Sequence, residues 1–488
     1  MEENRFIPTK LPFPKDKIPQ IIYDNCPRYA QFWDVAWEIA WKHVYESNAM
    51  PNSPYLGEGC GLNKVWIWDA SFMTLFSRYS NGIFPTENTL DNFYDIIESQ
   101  KVDGIFIHHP DNPPLFAWAE YELYKITGNL SRVKKILARK ILQNHYFWLE
   151  NETKNNTIVP WGAMEIKWEK HPKGYLWAGC PSGMDNTPRG NDNYDSIYWL
   201  DALSQQAIAA LFISKLAKVV DDKELQEQFI SEYNNKKELI KEYFDQEDGC
   251  YFDRYINPEN PQQPFCKVLT PASFWPLLAQ VASNEEAQQV IKTIEDDNKL
   301  GGIVPLPTVS RDSKYFNAQG QYWRGSVWLP VFYMAMKGIE NYNRKDLAKS
   351  CSIKLLDWMI ECYDNVEPHT IWECYSPTIP YPAESKSKKL CRKDFCGWSA
   401  LAPISLMLEN IIGLNFLSAK NMLVSWDLPQ ETKLCGIKNL NFGDAIITIL
   451  ADSNTIWVET TKKLTLTVNS VKLTCQVGEN IFDRNKIQ

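Results

Sequence analysis

Pro27-Arg-Tyr-Ala-Gln-Phe-Trp-Asp-Val-Ala-Trp-Glu-Ile-Ala-Trp41 is the stretch from which the fold is read. Phe32/Trp33, Ala36/Trp37, Ala40/Trp41 and Val44 recur at helical spacing, so they form one apolar stripe. Pro27 suits a first helical turn, where its missing N–H costs nothing. The same periodicity returns over roughly 69–80, 87–100, 114–127, 130–149, 195–219, 221–246, 270–282, 284–297, 325–340, 344–363 and 395–412. Thr86-Glu87, Pro113-Pro114 and Asn129 supply start signals for three of these segments.

Twelve helices arriving largely in pairs predict a mainly α fold, an (α/α)6 toroid of six helical hairpins. An irregular helical bundle and a solenoid are the alternatives, and the lack of a sequence repeat of roughly 30–50 residues weakens the solenoid. After about residue 415 the pattern changes. Asp444–Leu450, Thr455–Thr460 and Leu464–Val468 alternate and are β-branched, with Asn, Asp, Ser and Gly between them. The expected division is a helical catalytic unit over 1–414 and a small β-sandwich-like unit over 415–488.

Composition narrows the class. Of 488 residues, 44% are hydrophobic and 23% charged, which excludes a disordered or fibrous chain. Fifty-one Lys+Arg against 60 Asp+Glu leave a net charge of −9 without a basic block, so no nucleic-acid partner is expected. The N-terminus lacks a signal-peptide pattern, and no run approaches the ~20 apolar residues of a membrane span, so no membrane association is expected either. Twelve scattered Cys without a C-x-x-C pair then suggest reduced thiols in a cytoplasmic protein. Six His show no zinc-site spacing, so neither a metal nor another cofactor is expected.

The 19 Trp, 23 Tyr and 22 Phe are unusual, because many Trp sit beside Asp, Glu, Arg, Gly or Pro between the helices. Rings next to carboxylates and Arg suit sugars, whose C–H faces stack while their hydroxyls seek hydrogen bonds. Trp66-Ile-Trp-Asp-Ala-Ser-Phe72 opens a helix. Asp69 there is either an N-cap or, with Trp68, part of a sugar-binding cup. In Pro181–Arg189, Gly183 and Pro188 bracket Asp185, which is either a turn residue paired with Arg189 or a general acid held in a fixed loop. Gln321–Pro330 clusters Trp323, Arg324 and Trp328, with Arg324 suited to a carboxylate or to hydroxyls and Trp328 also readable as core. In Thr370–Pro377, Glu373 lies among rings, where partial desolvation raises a carboxyl pKa as acid–base work requires. Asp394–Ser399 adds Trp398. A pair of carboxyls without metal ligands or a nucleophile triad points to glycosidic-bond hydrolysis.

The order W-x-W-D-x-x-F (66–72), P-P-L-F-A-W-A (113–119), S-G-M-D-N-T-P-R (182–189), Y-W-R-G-x-V-W-L-P (322–330), W-E-x-Y-x-P (372–377) and G-W-S-x-L (397–401) resembles the family 63 glycoside hydrolases. That family includes mannosylglycerate and glucosylglycerate hydrolases and processing α-glucosidases, with trehalases as distant relatives. The resemblance covers roughly 60–412 and implies an inverting enzyme acting on α-linked glucose or mannose in a small saccharide or glycoside. By motif position it implies Asp185 as general acid and Glu373 as general base. It also implies sugar-contacting roles for Trp68, Asp69, Arg189, Trp323, Arg324 and Trp328. Phe72, Asn112, Trp372 and Trp398 complete the expected substrate-binding set. Asn112 stands where glycerate-specific relatives have Gln. Lys386, Lys388, Lys389 and Arg392 could attract an anionic aglycone, with a solvated loop the favoured reading. A phosphorylase on the same fold and a non-catalytic sugar-binding protein remain alternatives.

Overall fold

The computed structural model describes residues 7–47, 50–59, 65–99, 115–151, 155–158, 165–178, 183–430 and 432–487. Its helices are α1 (Pro27–Trp41), α2 (Ile67–Ser77), α3 (Thr86–Ser99), α4 (Phe116–Thr127), α5 (Leu130–Ala138), α6 (Ile141–Asn151), α7 (Leu200–Val219), α8 (Lys223–Lys241), the single turn α9 (Trp275–Leu278), α10 (Asn284–Glu295), α11 (Leu329–Glu340) and α12 (Lys345–Asn365). A π-type segment, Ala402–Ile412, follows.

Local chemistry explains most boundaries. Asn129 caps α5 by accepting from the Arg132 N–H, and Ser283 with Glu286 forms a reciprocal capping box on α10. The expected helix over 130–149 is two helices, broken where Lys140 takes a positive φ of 56°. The apolar stripe continues across that break through Val133, Leu137 and Ile141, so periodicity could not reveal it. The Leu137 carbonyl at the end of α5 accepts from the Lys140 N–H and from the Gln143 side chain, each at 3.0 Å. The expected helix from 195 begins at Leu200, because Ile197–Tyr198 pairs instead with Arg254–Tyr255.

Burial separates two kinds of helix. Every residue of α2 is buried, and so is nearly all of α7. Both are rich in apolar residues all round, with a few buried polar side chains such as Asp69 and Gln206, as helices in the interior are. In α8 only Phe229, Tyr233, Lys236 and Ile240 are buried, a single stripe docked on α7. Each of the large apolar side chains there contributes about 1.5–3 kcal/mol by leaving water. The buried helices touch in sequence: α2 packs on α4, α4 on α7, α7 on α9, α9 on α11, α11 on Ala402–Ile412, and that segment on α2.

The C-terminal part is β-rich. One antiparallel sheet runs in the order Gln20–Tyr23, Cys435–Phe442, Ala445–Ala451, Thr455–Thr460, Gly478–Asp483. A second runs Leu414–Ser418, Leu423–Trp426, Leu464–Val468, Val471–Cys475, with its two middle strands parallel. Alternation buries Ala445, Ile447, Ile449 and Ala451 on one face. The N-terminal strand carries Ile21 opposite Ile437 and so ties the start of the chain into this sheet. Among the described residues ten cysteines are free, and no helix is long and apolar enough to cross a membrane.

Candidate active site

The site gathers where α2, α11 and the final helical segment begin. Trp68 and Asp69 occupy the first turn of α2, whose N-cap is Trp66 with no side-chain cap. Asp69 therefore does not fill the N-cap role. It is buried, and its carboxyl is held well above the ordinary range by that burial first and by the Glu58 carboxylate second, with Asp185 and Glu373 adding to the rise. Glu58 is itself buried and accepts from the Trp66 N–H. Gly397 lies against it, since a Cβ there would come within 2.9 Å of the Glu58 backbone.

Asp185 rides on a loop that is clamped from both sides. Gly183 has φ 72° and sits on the Trp68 indole, leaving a Cβ only 3.2 Å from the ring. Asn186 accepts from the Trp323 N–H at 2.8 Å and donates to the Gln321 carbonyl at 3.0 Å. These bonds fasten the loop to the segment leading into α11. The Asp185 carboxylate is partly exposed, and its Oδ2 meets Lys386 Nζ at 2.7 Å. Lys386 also lies 5.2 Å from the centre of the Tyr322 ring.

Glu373 is 2% exposed. Its Oε1 accepts from the Tyr322 hydroxyl at 3.0 Å and faces the Arg392 guanidinium at 3.5 Å, while Oε2 accepts from the Arg392 N–H at 3.2 Å. Behind it, the Trp398 indole N–H and the Ser399 hydroxyl donate to the Glu373 carbonyl. Burial raises the Glu373 pKa above the ordinary carboxylate value, with Arg392 as the main opposing influence and Asp185 adding to the rise. One hairpin, bridged between Glu384 and Leu390, thus carries Lys386 to one acid, and the chain just beyond it brings Arg392 to the other.

The aromatic residues divide by task. Trp323 and Trp328 stack at 4.0 Å, and Trp398 packs on Trp328 at 5.4 Å, all nearly or fully buried. Phe72 meets Trp68 edge-on at 4.6 Å. The indole N–H groups of Trp68, Trp323 and Trp372 are buried without a hydrogen-bond partner among the described residues, a state that normally needs an explanation such as a ligand or water.

Two expected contacts are placed differently. Arg189 is 1% exposed and its guanidinium is committed to Asp253 and Asp201, with Nε–Oδ2 2.6 Å and Nη1–Oδ2 2.7 Å, beneath the Trp199 ring. It buttresses the start of α7 instead of meeting a sugar hydroxyl, because a buried arginine between two carboxylates has no reason to leave them. Arg324 pairs with Asp192 on the surface, and Arg392 takes the place beside Glu373. Asn112 lies outside the described residues. Glu58 and Tyr322 were not anticipated. Tyr322 stands inside a quoted motif, and its positive φ of 68° is visible only in the fold. Among the described residues no three His, Cys, Asp or Glu side chains form a group that could hold a metal.

A family model described as the mannosylglycerate hydrolase MGH1-like glycoside hydrolase domain matches residues 70–387. An uncharacterized protein of Borreliella burgdorferi is 28% identical over 417 residues, 82% of this chain and 81% of that one. The mannosyl-oligosaccharide glucosidase of Saccharomyces cerevisiae is 24% identical over 59% of this chain, which spans 36% of that enzyme. Among solved structures, the GH63 mannosylglycerate hydrolase from Thermus thermophilus in complex with glucose superposes with a TM-score of 0.56. It shares 17% identity over 75% of this chain and 98% of its own.

Proposed function

The chain belongs to the mannosylglycerate hydrolase MGH1-like glycoside hydrolases, and from that premise we propose that it is an inverting α-glycosidase of α-linked glucose or mannose. Glu373 deprotonates the water that attacks the anomeric carbon, and Asp185 protonates the departing oxygen. The observation that carries this reading is the bridge between the acids. Lys386 touches Asp185 and overlies the Tyr322 ring, whose hydroxyl donates to Glu373, so both carboxyls belong to one cluster of side chains, which supports the reading. A base with a raised pKa is suited to work closer to neutrality than an ordinary carboxyl.

The circuit of buried helices from α2 through α4, α7, α9 and α11 to Ala402–Ile412 supports an (α/α)6 toroid. Residues 1–414, apart from the strand Gln20–Tyr23 that joins the C-terminal sheet, are read as its catalytic unit and 415–488 as the appended β unit. Lys386 beside the general acid favours an aglycone that bears an anionic group, as in the relatives named for mannosylglycerate. Proton NMR of α-glucosides and α-mannosides, with neutral and carboxylate-bearing aglycones, tests all of this together. The β-anomer of the free sugar is expected first; initial release of the α-anomer would sink inversion, and a phosphate-dependent sugar phosphate would favour a phosphorylase.

The pH profile provides a second check. Glu373 must be ionised to act, burial raises its pKa and Arg392 holds it down. Removing that cation in Arg392→Met leaves the rise opposed only by the residue 392 backbone N–H and the Tyr322 hydroxyl. The acidic limb of kcat/KM should move to higher pH, with the alkaline limb in place. An unmoved acidic limb would show that Glu373 is not the group titrating there.

A further inference from the structure

The buried helices that begin at the candidate active site end together at a second cavity. Along α2 the two lie about 17 Å apart, the length of its eleven residues. This cavity has a volume of about 410 Å3 and is closed on one side by the strand Leu414–Ser418, within the size range of small-molecule sites.

Its floor is a lattice of paired charges. Arg78 binds Glu122 and Glu409, Lys125 binds Glu122, and Lys337 binds Glu340 and Glu409. The Tyr79 and Tyr333 hydroxyls donate to Glu409, each at 2.9 Å. Cations at the C-terminal ends of helices answer the helix dipoles, yet these three also receive carboxylates. A fourth, Lys215, does not. Its ammonium lies 4.3 Å from the Phe212 ring centre and 5.7 Å from that of Tyr121, with no carboxylate in ion-pair range among the described residues. Burial lowers its pKa, so its charged form is poorly accommodated as it stands. Arg78 is 5% exposed, and its Nε is buried without an acceptor. Among the described residues Lys215 is therefore the cation lining this cavity that has no carboxylate partner, beside aromatic rings and the amides of Gln280, Asn341 and Asn415.

We propose that this cavity binds a small polyol bearing one carboxylate or phosphomonoester, its anion on Lys215, its body against Tyr121 and Trp118, and its hydroxyls on the amides. The site is built independently of Asp185 and Glu373, so loss of the glycosidase reading would leave it standing.

Titration calorimetry of the full chain with gluconate, glucose 6-phosphate, inorganic phosphate and glucose tests it. One-to-one binding of gluconate or glucose 6-phosphate is expected, and the stronger of the two identifies the anionic group. Lys215→Met, which keeps the apolar stem against Phe212, should weaken that binding by roughly tenfold or more, the worth of a charge-assisted hydrogen bond. Lys215→Arg, which keeps the charge, should retain most of it. Thermal unfolding of both variants at the wild-type temperature separates lost binding from lost folding. Undiminished binding by Lys215→Met, no heat from either anionic polyol at millimolar concentration, or inorganic phosphate binding as tightly as the phosphorylated hexose would each overturn the proposal.

Discussion

Glu373→Gln is expected to lower kcat by about 1,000-fold or more near neutral pH, the scale of a lost general base, while leaving the protein at least as stable as before. The two halves of this expectation have one cause. Glu373 is desolvated, so its neutral form suits the site and its pKa lies above the ordinary carboxyl value. Such a group costs stability increasingly as pH rises from the unfolded-state value through the folded one. Glutamine is neutral at every pH and removes that cost. The amide can still accept from the Arg392 N–H, and the Tyr322 hydroxyl can turn to accept from its NH2 group. Thermal melts at acidic and neutral pH alongside steady-state rates check both halves. Near-normal turnover would remove the base assignment. A melting point well below wild type at neutral pH would instead make Glu373 a structural anchor.

Asp185→Asn should show a substrate-dependent defect. With an alcohol as leaving group, loss of the proton donor is expected to reduce kcat by about 1,000-fold, within the range for general acids. With an α-glycosyl fluoride the departing fluoride needs little protonation, so the deficit should shrink to roughly tenfold or less on the same reasoning. Comparing the two substrates in wild type and variant isolates the proton from every other role of the loop. The fold should survive, because the contacts that fasten this loop come from Gly183 and Asn186. Equal losses on both substrates would mean that Asp185 only shapes the pocket.

Much of the architecture was legible because it is local. The stripe of α1, the cap at Asn129 and the alternating strands at 455–460 and 464–468 are written within a few residues of where they act. The break at Lys140 was hidden because the apolar stripe runs through it. The strand Gln20–Tyr23 was hidden because four residues paired with a segment more than 400 positions away carry too little local pattern. In the site, Asp185 and Glu373 stood out by their aromatic and Gly/Pro surroundings. Glu58 did not, since nothing near it in sequence says that it meets Asp69.

Periodicity and motif order alone determined that the chain is helical for most of its length, ends in strands, and presents two carboxyls in aromatic loops. Tertiary structure decided which charges serve those carboxyls. Arg189, four positions from Asp185, turns inward to Asp201 and Asp253, whereas Lys386, 201 positions away, reaches it. The physical reason is range: helix and strand patterns repeat over a few residues, but an ion pair depends on distance through space, which residue spacing along the chain does not encode.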